Sequence, residues 1–118
     1  MRALKLHDLL DLAVITARKR IGKSVSYNLA AVGCRTDGLI VSAYNVTTAE
    51  GPTKVGHAEY RLSSKLTRGS VVAVARVSAY GVPAMARPCK ACQTILRNYN
   101  VSKVIYTIAE DEVGIMEL

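Results

Sequence analysis

The stretch "KVIYTIAEDEVGIMEL", residues 103–118, decides the architecture. "KVIYTI" (103–108) is apolar and β-branched enough to read as a buried strand, and "VGIMEL" (113–118) reads as another. Only Ala109, Glu110, Asp111 and Glu112 separate them. Four residues cannot hold the crossover helix that a parallel connection needs, so the last strand is expected to return antiparallel.

Upstream, "SVVAVARVSAY" (70–80) is too short an apolar run for a good helix and reads as a second buried strand. "YGVPAMARP" (80–88) is loop, and Pro88 leads a helix over Cys89 to Asn98. "YNLAAVGCR" (27–35) and "LIVSAYNV" (39–46) form a strand pair around "TDG", with Asp37-Gly38 the local hairpin signal. "TTAEGPTKVG" (47–56) is loop, and a helical pattern runs from His57 to about Leu66, closed by Arg68-Gly69. At the N-terminus Leu4, Leu6, Leu9, Leu10, Ala13, Ala17 and Ile21 draw an apolar helical stripe that ends at Gly22. The order strand–strand–helix–strand–helix–strand–strand predicts an α/β fold. It is a three-layer α-β-α arrangement with a mixed five-stranded sheet, its last strand antiparallel, in a single domain over residues 1–118.

Half of the chain is apolar, which suits a globular protein with a real core. His7, Asp8 and Asp11 interrupt the first apolar stretch, so an amphipathic helix is expected there rather than a signal peptide, and a cytoplasmic protein with no membrane partner follows. The net charge is +7, but four of the nine acids fall in the last nine residues. Residues 1–109 therefore carry 16 basic and 5 acidic groups, a surplus of +11 that suits either an anionic partner or a solvated basic surface. Three cysteines make no disulfide framework, and Cys-x-x-Cys without a secretory signal points to metal or redox chemistry.

Cys89 and Cys92, one turn apart, can aim both sulfurs at one ion, and the helix N-terminus favours the thiolate at Cys89. His57 at the start of another helix supplies a third ligand. Two thiolates and a neutral imidazole balance the charge of Zn²⁺ and leave a fourth position open, as a catalytic zinc requires. Glu59, near that ion without binding it, is placed to act as general acid/base on a water that the metal activates. His57-Ala58-Glu59 followed by Pro88-Cys89-Lys90-Ala91-Cys92 matches the H-x-E…P-C-x-x-C signature of zinc-dependent base deaminases. Two other readings compete. A redox pair at Cys89/Cys92 leaves the H-x-E unexplained. A structural zinc needs a fourth ligand, for which Cys34 and His7 are the candidates: a small buried hydrophobe and a surface histidine on the simplest view.

These motifs resemble the cytidine deaminase-like superfamily, and the similarity runs from about Ser24 to the C-terminus. The resemblance implies a zinc held by His57, Cys89 and Cys92, with Glu59 moving protons from water to ring nitrogen N3 and then to the departing amine. A cytosine nucleoside, cytidine or deoxycytidine, would yield the uracil form and ammonia. The four-residue gap before "VGIMEL", and "PCKACQTIL" beside the "PCGACRQVL" of that group, are most similar to the free-nucleoside branch. By the same resemblance Tyr27 stands where a base-stacking Phe is found, Asn45 where an Asn binds ribose, and Ala58 between His57 and Glu59 is a further substrate contact. Thr47 replaces the ribose-binding Glu, which makes room for a phosphate. Tyr60 follows Glu59 where enzymes with three Cys ligands often have an Arg, in keeping with a His ligand here. Arg87 takes the place of a small residue before the proline and could support a thiolate, meet a phosphate, or simply be solvated.

Three substrate classes stay open at this point: a free nucleoside for pyrimidine salvage, the monophosphate, and a base in tRNA or single-stranded nucleic acid. The basic surplus favours the last; the short tail and the lack of Trp and Phe for stacking count against it. The resemblance also implies a homotetramer or homodimer.

Overall fold

The computed structural model describes residues 5–22, 28–45 and 58–118. Three helices and six strands alternate in it: α1 (Leu6–Arg18), β1 (Asn28–Cys34), β2 (Ile40–Tyr44), α2 (Ala58–Ser63), β3 (Val71–Val77), β4 (Pro83–Ala84), α3 (Lys90–Asn98), β5 (Lys103–Ala109) and β6 (Glu112–Glu117). Five of the strands lie in the order β2-β1-β3-β5-β6, and the two-residue β4 pairs with β3 off this path.

The sheet is mixed because one pairing, β3 with β5, is parallel, and the rest are antiparallel. The chain between β3 and β5 contains α3, which makes the parallel return possible. After β5 the chain turns at Glu110-Asp111 and β6 runs back antiparallel, pairing Ile105 with Ile115 and Tyr106 with Gly114, as expected from the four-residue gap. Gly114 is required there by close approach. A Cβ at that position would collide with the ring of Tyr106, which lies across it. The β1–β2 hairpin closes with Gly38 at φ 87°, the left-handed region that favours glycine, and Asp37 Oδ1 accepts the Leu39 N–H across the turn.

Period-2 alternation along the strands gives the sheet two apolar faces, each covered by helix. Ala30, Val32, Ala73, Ala75, Val77 and Ile105 pack with Leu9, Leu10, Ala13 and Ala17 of α1. Ala31, Ala43, Val72, Val74, Val104 and Tyr106 pack with Ala58 and Leu62 of α2 and with Leu96 of α3. Three layers result.

β2 is an edge strand, and basic side chains cover its carbonyls. Arg61 Nη1 donates to Tyr44 O at 2.8 Å and Lys65 Nζ to Ser42 O at 2.7 Å, while the Arg20 guanidinium stacks 4.0 Å from the centre of the Tyr44 ring. Part of the basic surplus thus protects an edge that could otherwise pair with another chain.

Candidate active site

At the C-terminal end of β3, beside α2 and the loop before α3, the described residues border an open cavity of about 190 Å³. Leu29, Asn45, Glu59, Arg76, Met85, Ala86, Arg87 and Cys89 line it among the described residues. Each arrives by a local reason. Leu29 and Arg76 continue the inward phase of β1 and β3 beyond Ala31 and Val74, so they face the cavity where the apolar packing ends. Asn45 follows β2 and closes the hairpin: its Oδ1 accepts the Leu29 N–H at 3.1 Å and its own N–H donates to Leu29 O.

Glu59 is the second residue of α2, a helix whose Ala58 and Leu62 are pinned in the core. It is 3% exposed, and its Oε1 has no hydrogen-bond partner among the described residues. Desolvation raises its carboxyl above the ordinary value; a backbone hydrogen bond works weakly in the opposite direction. A buried carboxylate oxygen without a partner is costly, so the site is built to receive something at that atom.

Cys89 is the N-cap of α3, with extended backbone and a thiol that makes no capping bond, and Cys92 is buried one turn further on. No disulfide joins the three cysteines. The loop that presents Cys89 is held at both ends. Thr107 Oγ1 donates to Ala84 O at 2.6 Å and accepts the Arg76 N–H at 3.2 Å, and Thr107 O accepts the Ala86 N–H at 2.8 Å. Gln93 Nε2 then donates to Pro88 O at 2.8 Å.

Of the residues singled out from the sequence, Asn45, Glu59 and Cys89 meet in one cavity. Cys92 lies behind Cys89 on α3, and Ala58 is buried in the core beside Glu59. His57, Tyr27 and Thr47 lie outside the described residues. His7 is exposed on α1 and Cys34 packs on the α1 face of the sheet, so neither is in the layer that holds Cys89. Arg76 and Thr107 were missed by sequence reasoning. A signal existed for Arg76: it is the single charge in "VVAVARV" and falls in phase with buried Val72 and Val74.

The donor set fits zinc: two thiols one turn apart at a helix start, a histidine directly before α2 in sequence, and a buried carboxyl, its Oε1 unpartnered among the described residues, that is not needed as a ligand. A sequence model of the cytidine and deoxycytidylate deaminase zinc-binding region matches residues 4–108, and the chain belongs to that family. Among solved structures, cytidine deaminase from Burkholderia pseudomallei superposes with a TM-score of 0.68 at 18% identity, over 97% of this chain and 93% of that one. Cytidine deaminase from Mycobacterium leprae does so with 0.59 at 21% identity, over 95% and 93%. At these identities the likeness is one of fold, and it includes the mixed sheet expected from residues 103–118. No curated protein matches the chain closely enough to be called a relative. No helix among the described residues is long and apolar enough to cross a membrane.

Proposed function

We propose that the protein deaminates the cytosine ring of a cytidine or deoxycytidine unit by hydrolysis, releasing ammonia and the uracil form. One observation carries this reading: the buried carboxyl of Glu59, with Oε1 unpartnered among the described residues, borders the same cavity as Cys89 and Asn45.

His57, Cys89 and Cys92 would hold Zn²⁺, which when bound supplies Lewis acidity that brings the ionisation of water toward neutral pH. The remaining work falls to the chain's own groups. Glu59 Oε1 takes one proton from the attacking water and delivers it to N3 of the ring as C4 is attacked, then takes the second from the new C4 hydroxyl and passes it to the amine, so that the C4–N bond breaks as C4=O forms and ammonia leaves. Its burial suits this exchange, because desolvation brings the affinities of carboxylate and ring nitrogen for the proton closer together. Asn45, with Oδ1 held by the Leu29 N–H, has its amide fixed in orientation at the cavity wall, as a contact to a sugar hydroxyl needs. Ala58, small and fully buried beside Glu59, lets the ring approach the backbone. Tyr27 and Thr47 are assigned to the base and the sugar side on the family resemblance alone.

That activity carries with it a place in pyrimidine salvage, a cytoplasmic location and a homodimer or homotetramer, all resting on the family resemblance. Ammonia release from cytidine and deoxycytidine by the zinc-loaded protein tests the reading. Turnover is expected in the wild type and none in Glu59→Gln; comparable rates in both would refute the role given to Glu59.

A further inference from the structure

Gln93 grips the residue that presents the exposed thiol from both sides. Its side-chain Nε2 donates to Pro88 O at 2.8 Å, and its backbone N–H donates to Cys89 O at 2.8 Å. These are the carbonyls of the two planar peptide units that flank the Cys89 Cα. With both units bonded to one residue of α3, the backbone of Cys89 (φ −66°, ψ 165°) is fixed relative to the helix, and so is the direction of its Cα–Cβ bond.

That restraint replaces the ordinary one. A helix start is normally secured by an N-cap side-chain oxygen that accepts a backbone N–H one or two residues into the helix. The Cys89 thiol makes no capping bond, which leaves it for another task, and the fastening comes instead from one turn inside α3. Pro88 is fully buried and Gln93 half-buried, so bulk water does not readily take over the bond to Pro88 O. Gln93 also follows Cys92 directly, so a single residue ties the segment that carries one thiol to the turn that carries the other. The next side chain along the helix does nothing of the kind: Thr94 Oγ1 donates to Lys90 O at 3.0 Å, an exposed bond within the helix that involves neither cysteine.

We propose that Gln93 is a positioning residue of the zinc site: it sets the aim of the Cys89 thiol relative to Cys92, and with it the affinity of the pair for the metal. The proposal rests on the zinc reading above and adds to the site a residue outside both the H-x-E and the P-C-x-x-C motifs. Metal–thiolate bonds tolerate errors of only about 0.2 Å, and loss of a group that orients a ligand typically weakens metal binding about 10–100-fold.

The test measures the zinc dissociation constant by competition with a chromophoric chelator, and the thiolate-to-metal charge-transfer band of the cobalt-substituted protein. Wild type is compared with Gln93→Met, which keeps the length of the side chain and removes the donor, and with Thr94→Val, which removes a bond of the same kind one residue on. Gln93→Met is expected to bind zinc about 10-fold more weakly or worse and to shift the cobalt band, while Thr94→Val leaves both in place. Gln93→Ala, which opens space beside Pro88 O rather than filling it, reports the same quantities should the methionine variant not fold. An unmoved dissociation constant or an unmoved cobalt band in the Gln93 variants, or an equal weakening in Thr94→Val, would overturn the role of Gln93 and leave the zinc site standing. A wild type that binds neither metal would overturn the zinc reading and the role of Gln93 together.

Discussion

Replacing Thr107 by valine should loosen the active-site loop without touching the cavity. Thr107 is 2% exposed, and its hydroxyl bridges two segments: it donates to Ala84 O at 2.6 Å and accepts the Arg76 N–H at 3.2 Å. Valine keeps the shape and removes both bonds. At about 1 kcal/mol net for each bond, the loss amounts to about 2 kcal/mol, and it grows if Ala84 O or the Arg76 N–H finds no water in exchange. The damage should not stop at stability, because Ala84 opens the five-residue path to Cys89. With β4 released from β5, Cys89 is held less firmly relative to Glu59, and zinc affinity should fall as well. Urea unfolding of the metal-free and zinc-loaded protein measures both effects: the zinc-dependent gain in stability should shrink in Thr107→Val. Thr107→Ser, which keeps the hydroxyl and drops a methyl, should retain most of that gain. If valine were within about 0.5 kcal/mol of wild type in both states, or if serine were as harmful as valine, the bridging role assigned to the hydroxyl would be wrong.

The other predictions concern the buried carboxyl, the thiols and the β6 edge. Glu59→Gln should abolish turnover with zinc still bound. It should also make the metal-free chain more stable by about 1–2 kcal/mol at neutral pH, because the wild type must either bury a charge there or take up a proton, and the amide does neither; thermal unfolding in the presence of a chelator reads the difference. Cys89→Ala should remove most of the bound zinc, measured by metal analysis, and should lower the melting temperature to that of the chelated wild type, since an exposed N-cap thiol adds little packing of its own. Gly114→Ala should cost about 1–3 kcal/mol in urea unfolding, because the new methyl displaces the Tyr106 ring from its place across the strand. An unchanged midpoint would show that the ring moves aside freely.

Much of this was legible along the chain. The short turn between β5 and β6 forced an antiparallel return, and the short, continuous apolar runs in "VVAVARV" and "KVIYTI" marked buried strands. The helix after Pro88 begins at Lys90 with Cys89 as its N-cap, one residue later than the reading by proline position alone. β4 was invisible for a different reason: two residues carry no periodicity, and Pro83–Ala84 pairs with β3 because the Ser78–Val82 turn, with Gly81 at φ 82°, and buried Thr107 direct it there. The second helical pattern ends at Ser63, earlier than Leu66, where turn hydrogen bonds from the Lys65 and Leu66 N–H to Leu62 O and Ser63 O take over.

What the sequence determined by itself was the chemistry that local spacing encodes. Cys89 and Cys92 share a helical turn wherever that helix is placed, and Glu59, two residues after His57 in sequence, stands at the head of another. Such relations survive any packing, because 3.6 residues per turn is a property of the backbone. Only the tertiary structure decided which distant groups join them. Arg76, 17 residues from Glu59 along the chain, reaches the same cavity because β3 lies at the middle of the sheet and its inward phase outruns the helices that cover it. Thr107 reaches the loop before Cys89 because β5 runs parallel to β3. Contacts of that kind are set by strand order and register, which depend on the whole core closing at once, and no window of sequence contains them.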